Sequence, residues 1–128
     1  MALIYIVEDD ENIREIETIA LKNSNYMVCA FEKATTFYKK LEDIMPDLVL
    51  LDYEMPVVDG RQVLEMIRTE TEFSDVPVIF LTSKDDRESV MQVMELRPEG
   101  YLLKTMEPAK IIAEVDAFFE RQKLKLFD

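Results

Sequence analysis

The chain alternates five times between a short apolar run and a longer segment with helical spacing, and this alternation constrains its fold most strongly. The runs at residues 2–7 and 47–51 are almost continuously apolar, which is typical of strands buried on both faces. Three further runs lie at residues 26–31, 77–81 and 100–103. Because parallel strands need crossover connections of helix length, the sequence predicts an α/β fold whose parallel sheet is covered by helices on both faces.

The segments between the runs carry apolar residues at the spacing of amphipathic helices. In the first segment these residues are Ile13, Ile16 and Ala20, and Asp10 or Glu11 stands before them as a candidate cap. The inward faces expected for the third, fourth and fifth helices are Val63, Met66 and Ile67; Val90, Val93 and Met94; and Ile111, Ile112, Val115, Phe118 and Phe119.

Composition excludes several classes of function. The formal net charge of −12, from 27 acidic and 15 basic residues, disfavours direct nucleic-acid binding by this segment. The absence of histidine excludes Ser-His-Asp and Cys-His catalysis, and the single cysteine, Cys29, disfavours zinc. With only two glycines, the chain has no Gly-rich nucleotide-binding loop. A hard cation with oxygen ligands remains open, because Asp and Glu are plentiful.

The same sequence bears on location and domain organisation. No apolar run approaches the ~20 residues of a membrane span, and the opening residues lack the basic leader of a signal peptide. Together with the lone cysteine, this predicts a cytoplasmic protein that does not bind membranes. We expect one domain over residues 1–122, followed by residues 123–128 as a tail or as the start of a linker to an output domain.

Polar residues stand where the predicted strands end. Glu8 and Asp9 follow the first strand, and Asp52, Thr82 and Lys104 follow the third, fourth and fifth. In open parallel sheets, ligands bind beyond the carboxyl ends of the strands, so these side chains are expected to converge on one edge. Each residue taken singly has an ordinary alternative as a helix cap or a solvated side chain. Their ordered occurrence on four strand–helix junctions is what favours a site.

The residue types at this edge fit phosphoryl chemistry. Clustered carboxylates need a cation to offset their repulsion, and Mg²⁺ binds one or two carboxylates together with waters and phosphate. Asp9 and Asp52 are the expected direct ligands, with Glu8 reaching the metal through a water. A carboxylate such as Asp52 can also be a nucleophile that forms an aspartyl phosphate. Lys104 and the Thr82 hydroxyl would then offset the charge on the phosphoryl oxygens.

Over nearly its whole length, the sequence resembles the receiver domain of bacterial two-component response regulators. The resemblance combines an acidic pair, a phosphorylation segment, a switch-hydroxyl strand and a lysine strand. Each motif alone is modest, and their combination is highly specific. The matching segments are IVEDD at residues 6–10, PDLVLLDYEMP at 46–56, Gly60, VIFLTS at 78–83 and GYLLK at 100–104.

The resemblance implies a flavodoxin-like sheet with strand order 2-1-3-4-5 and a set of residue roles. Glu8 and Asp9 would be the acids of a site for Mg²⁺, for which Mn²⁺ can substitute. The implied roles of the other residues are phosphoacceptor for Asp52, metal ligand through its backbone carbonyl for Glu54, paired switch residues for Thr82 and Tyr101, and phosphate-binding lysine for Lys104.

The resemblance also implies partners. A sensor histidine kinase or a phosphotransfer protein would supply the phosphoryl group, and a downstream effector or a fused output domain would read the switch. The face formed by the fourth helix, fifth strand and fifth helix would change shape, and a homodimer could form through it. The protein would then be no general enzyme, since it would catalyse only its own phosphoryl transfer and autodephosphorylation.

Two residues depart from the family pattern. Lys104 is followed by Thr105, where the family usually has proline after a cis bond. A cis bond before a residue other than proline costs ~2.5–4 kcal/mol, so the loop either accepts that strain or takes a trans path. The second departure is Glu54, an acid at a position that the family varies freely, which could slow or redirect water attack on an acyl phosphate.

Two other interpretations remain open from the sequence. An aspartate-nucleophile phosphatase of the haloacid dehalogenase type also uses Mg²⁺, Asp, Thr and Lys, but it needs an Asp-x-Asp motif on its first strand and a cap domain. A degenerate receiver that acts as a constitutive binding module is the other. Thr105 favours the degenerate receiver, whereas the intact acidic pair, Asp52, Thr82 and Lys104 disfavour it.

Overall fold

The computed structural model describes residues 1–83 and 87–126, in which strands and helices alternate in the predicted order. The bounds of the strands are β1 Leu3–Val7, β2 Met27–Phe31, β3 Leu48–Asp52, β4 Val78–Thr82 and β5 Gly100–Leu103. Those of the helices are α1 Glu11–Asn23, α2 Ala34–Asp43, α3 Gly60–Thr69, α4 Arg87–Met94 and α5 Pro108–Lys125.

The strands form one parallel sheet in the order β2-β1-β3-β4-β5. This confirms the strand order and the flavodoxin-like topology that the family resemblance implies. The order reverses between β1 and β3, so the carboxyl ends of these two central strands border the crevice where ligands bind in open α/β sheets.

Alternating side chains of the central strands build two cores, one on each face of the sheet. On one face, Tyr5 and Leu51 pack with buried residues of α2, α3 and α4. On the other face, Ile4 and Leu50 pack with buried residues of α1 and α5. Because both faces are covered, β3 and β4 are buried along their whole length, which explains their continuous apolar sequence.

Local signals fix where several helices begin. Asp10 caps α1 by accepting a hydrogen bond from the Ile13 backbone N–H at 3.0 Å, as one of the two sequence alternatives predicts. Asp59 and Gln62 form a reciprocal capping box at the start of α3, and Pro108 occupies the first turn of α5. Among the helices of the described ranges, none is both long and apolar enough to cross a bilayer.

The inward faces of three helices differ in part from the sequence prediction. Ile16, Met66 and Met94 are expected inside, but they are 54%, 49% and 48% exposed. The buried residues of α1 are instead Glu17 and Leu21. Neighbouring positions on a helix point about 100° apart, so packing against the sheet, and not hydrophobicity alone, decides which of two adjacent residues faces inward.

The predicted domain boundary after residue 122 stays a prediction. Helix α5 continues through it to Lys125. Phe127, one of the last residues of the predicted tail, lies outside the described residues.

Candidate functional site

Five polar residues expected at the strand ends meet at the carboxyl edge of the sheet. Asp52 and Thr82 are the last residues of β3 and β4, and Glu8 and Lys104 directly follow β1 and β5. Glu8, Asp52 and Thr82 are buried, whereas Asp9 and Lys104 are partly exposed. Buried ionisable groups of this kind need partners that offset their charge, so their shared location is a functional-site signal.

Three carboxylates at this edge can share one cation. Glu8, Asp9 and Asp52 each offer an oxygen atom, and these atoms all lie within 4.8 Å of one another. Asp52 Oδ2 is buried and has no hydrogen-bond partner. An unsatisfied buried carboxylate oxygen is costly, and carboxylate oxygens are the atoms to which a hard cation or a phosphorus atom bonds. The donor set therefore fits an oxygen-ligated divalent metal.

Lys104 supplies positive charge to the same cluster. Its ammonium lies 2.9 Å from Asp52 Oδ1 and 2.9 Å from Glu8 Oε1. Burial lowers the pKa of Lys104, but hydrogen bonds to Asp52 and Glu8 outweigh it, so that its pKa is raised. No peptide bond in the described residues is cis, so the chain passes from Lys104 to Thr105 by the trans path. Threonine in place of proline therefore does not remove the lysine from the site.

Of the two carboxylate oxygens of Asp52, Oδ1 is held in place by two contacts. This oxygen accepts a hydrogen bond from the Glu54 backbone N–H at 3.1 Å, and it also contacts the Lys104 ammonium. The pKa of Asp52 is raised overall. Burial raises it most, the hydrogen bond from Lys104 lowers it, and the negative charge of Glu8 raises it further. The two oxygens thus differ, with Oδ1 anchored and Oδ2 lacking a partner.

The exposed Glu54 side chain links two loops above Asp52. Its carboxylate accepts a hydrogen bond from the Ser83 hydroxyl, with 2.5 Å between the two oxygens. This contact joins the loop after β3 to the end of β4. The structure therefore gives Glu54 a specific partner close to the acidic cluster, while the predicted metal ligation by its backbone carbonyl stays a prediction.

The predicted switch pair occupies β4 and β5. Thr82 is fully buried, and Tyr101 is half-buried with its ring centroid 6.2 Å from that of Phe80. The backbone N–H of Lys104 donates to the Thr82 carbonyl at 2.8 Å. This hydrogen bond fixes Lys104 beside the end of β4. The switching roles of Thr82 and Tyr101 stay predictions.

Sequence reasoning overlooked two residues near the site. Arg14 donates from its guanidinium to the Glu8 carbonyl at 2.8 Å, which fixes the turn that carries the acidic pair. Glu17 is buried in α1 despite its charge. Glu17 lies four residues after Ile13 and four before Leu21, but its charge does not indicate burial, so the spacing alone does not identify it as an inward residue.

Comparison with known proteins is consistent with this geometry. Residues 4–116 match the family model of the response regulator receiver domain. The phosphate regulon transcriptional regulatory protein PhoB of Pseudomonas aeruginosa is 29% identical over 118 residues, which are 92% of this chain and 52% of PhoB. The chain thus spans about half the length of the curated relatives it matches.

Solved structures share the fold over almost the whole chain. The BeF3-activated DrrB receiver domain is 30% identical with a TM-score of 0.81, and the match covers 94% of this chain and 98% of that one. The Mn²⁺-bound form of the response regulator Rcp1 is 24% identical with a TM-score of 0.81, and the match covers 93% of this chain and 94% of that one.

Proposed function

The chain belongs to the response regulator receiver domain family, and we propose on that premise that it is a signalling switch that accepts a phosphoryl group on Asp52. One observation carries this proposal. Asp52 presents a buried oxygen, Oδ2, that has no hydrogen-bond partner, while its other oxygen is anchored by Lys104 and the Glu54 backbone. A carboxylate held in this way has one oxygen oriented for reaction.

In the proposed reaction, Asp52 Oδ2 attacks the phosphorus atom of the donor. The new O–P bond forms as the P–N bond of a phosphohistidine, or the P–O bond of acetyl phosphate, breaks with its electron pair on the leaving group. Charge spreads over the phosphoryl oxygens during such a transfer, and catalysis depends mainly on positioning and on neutralising that charge. Lys104 would provide this neutralisation, since its ammonium already lies 2.9 Å from Asp52 Oδ1. The Thr82 hydroxyl would donate a hydrogen bond to a phosphoryl oxygen.

Glu8, Asp9, Asp52 and the Glu54 backbone carbonyl would hold Mg²⁺, and Mn²⁺ could replace it. The support is the cluster of three carboxylates together with the likeness to Rcp1, whose solved form is Mn²⁺-bound. When bound, the metal supplies positive charge that offsets repulsion among the carboxylates and on the phosphoryl oxygens. Arg14 would keep the acidic turn in place through its bond to the Glu8 carbonyl.

Signal output is proposed to follow from Thr82 and Tyr101. Movement of Thr82 toward the phosphoryl group would leave space for Tyr101 to turn inward, which would change the face formed by α4, β5 and α5. The phosphoryl group would bias an equilibrium between two existing states of this face. A homodimer through this face is part of the proposal.

The proposed partners are a sensor histidine kinase or phosphotransfer protein as donor and an effector or fused output domain as reader. PhoB is named as a transcriptional regulator, and this chain matches about half of it, so an output domain of that kind is a candidate reader. We further propose a cytoplasmic location. The match of residues 4–116 to a receiver domain supports the switch over the phosphatase alternative.

Incubation with acetyl phosphate and MgCl₂, followed by intact-mass measurement, tests the proposal. The wild type should gain one phosphoryl group, and this gain should disappear with EDTA. Asp52→Asn should gain none, whereas Asp43→Asn, which changes an exposed carboxylate at the end of α2, should behave like the wild type. An unmodified wild type under all conditions would instead favour a constitutive binding module.

A further inference from the structure

A pocket between α1 and α5 lies on the sheet face opposite α2, α3 and α4. It has a volume of about 200 Å³, and most of the side chains that line it are apolar, including Ile13, Leu50 and Ile111. Lys104 and Glu17 are the two charged residues in its lining. Apart from Lys104, which also belongs to the acidic cluster, no residue that lines this pocket takes part in the proposed phosphoryl chemistry.

Glu17 is a largely buried residue whose carboxylate keeps some contact with solvent but has no described protein partner in this pocket. Glu17 is only 8% exposed, and it lines the pocket. Among the side chains that the structure describes, none makes a hydrogen bond or an ion pair with its carboxylate. Partial loss of hydration by an unpaired carboxylate is unfavourable, so a cation that binds it would stabilise the protein.

The charges that face Glu17 do not offset its own. Its pKa is raised to about 8, chiefly by burial and further by the charges of Glu8 and Asp52, while the charge of Lys104 lowers it. The ammonium of Lys104 is already held 2.9 Å from both of those other carboxylates. The residues that α5 contributes to the pocket are apolar. Among the described side chains, the positive charge that acts on Glu17 is therefore that of Lys104, which is shared with two other carboxylates.

The size of the pocket limits what could supply that charge. An apolar cavity of about 150 Å³ accommodates benzene, so about 200 Å³ suits a body of one ring or six to eight carbons. A protein with a formal net charge of −12 also attracts small cations.

We propose that this pocket is a binding site for a small organic cation, a protonated amine on an apolar body the size of one aromatic ring. The apolar body would pack against side chains of α1 and α5, and the ammonium would pair with the Glu17 carboxylate. The exposed Ile16 beside the pocket leaves the entrance with an apolar rim.

Three probes with similar bodies and different head groups test the proposal by calorimetry and by chemical-shift changes of pocket isoleucine methyl groups. These probes are 2-phenylethylamine, 2-phenylethanol and 3-phenylpropionate. We expect the amine to bind at least about tenfold more tightly than the alcohol, and the carboxylate to show no binding. Equal affinity for the amine and the alcohol would overturn the assignment of Glu17 as the recognition group.

Variants separate the site from general attraction to an acidic protein. Glu17→Gln keeps the shape of the side chain and should lose about tenfold in amine affinity, and Glu17→Leu should abolish binding. Glu15→Gln removes an exposed carboxylate from the same helix and should bind the amine like the wild type. Unchanged affinity in Glu17→Gln, with a native spectrum, would overturn the proposal.

Two further results distinguish this site from the acidic cluster. Glu17→Gln should still gain one phosphoryl group from acetyl phosphate and MgCl₂, since Glu17 takes no part in the proposed transfer, so the inference can fail or succeed independently of the proposed function. Because the carboxylate must lose its proton to pair with the ammonium, affinity should rise from pH 6 toward pH 8 and level off above it. An affinity that falls over this range would contradict the ion pair.

Discussion

The Lys104 ammonium at the end of β5 lies 2.9 Å from Asp52 Oδ1 at the end of β3, with β4 between the two strands. This contact predicts that Lys104 neutralises charge on the group attached to Asp52. Lys104→Ala should lower the rate of phosphorylation by acetyl phosphate about 10²-fold, since loss of one donor to a developing charge has this effect in enzymes.

The matched control is Lys123→Ala, which removes an exposed lysine of α5 whose described partner is Glu120. Its phosphorylation rate should equal that of the wild type. If Lys104→Ala were phosphorylated at the same rate as this control, Lys104 would have no part in the transfer.

Glu54 and Ser83 form a hydrogen bond near Asp52, the proposed phosphoacceptor, and this contact predicts a shared effect on the lifetime of the proposed aspartyl phosphate. A carboxylate held there would hinder the approach of water to the acyl phosphate. Glu54→Asn and Ser83→Ala should therefore both dephosphorylate several-fold faster than the wild type, as followed by intact mass after the donor is removed. Rates equal to that of the wild type in both variants would exclude this role.

Gly60 lets the start of α3 approach the backbone that carries Asp52. A Cβ atom at this position would lie 2.5 Å from the Asp52 carbonyl oxygen and 2.8 Å from Tyr53 Cα. Gly60→Ala should destabilise the fold by about 2 kcal/mol or more in urea unfolding, because backbone atoms must shift. Gly100→Ala is the control, since its Cβ would meet only Ile79 side-chain atoms at 3.5 Å or more. Equal losses in the two variants would contradict the close approach.

The raised pKa of Glu17 predicts that the free energy of unfolding depends on pH. Burial, together with the charge of Glu8, raises the pKa of Glu17 from 4.5 to about 8 in the folded state. The folded state thus holds this proton more tightly than the unfolded state, so the contribution is complete below the unfolded pKa and is lost as pH rises through about 8.

Relative to Glu17→Gln, the wild type should therefore lose stability between pH 5 and pH 8.5, by at most about 5 kcal/mol. Urea unfolding of both proteins at several pH values measures this difference. The contributions of the other titrating groups are the same in both proteins and cancel. Glu15→Gln, an exposed change in the same helix, should show no such trend. A constant difference between wild type and Glu17→Gln would show that Glu17 titrates normally.

Much of the fold follows from the sequence because burial on both faces leaves a clear pattern. The apolar runs predict all five strands, and residues at their ends predict the acidic cluster with Lys104. The strand order required the family resemblance, since apolar runs do not encode which strand lies beside which. Packing on two faces of a parallel sheet is thus easier to predict than the order of its strands.

Other features depend on direction and contact, which periodicity does not determine. Ile16 and Glu17 are adjacent, and hydrophobicity alone places the isoleucine inside, whereas the structure buries the glutamate. The sequence likewise did not determine whether the bond between Lys104 and Thr105 is cis or trans. The bond is trans, and the Lys104 ammonium still contacts Asp52. These outcomes depend on the geometry of the packed sheet and not on the local sequence.

In the proposed switch, one carboxylate, that of Asp52, becomes an acyl phosphate. The most direct measurement is to phosphorylate the protein with acetyl phosphate and MgCl₂, reduce the acyl phosphate with borohydride, and locate the resulting homoserine by peptide sequencing in a mass spectrometer. We predict homoserine at position 52 alone, and none without Mg²⁺. Homoserine at another position with aspartate intact at 52 would contradict the account.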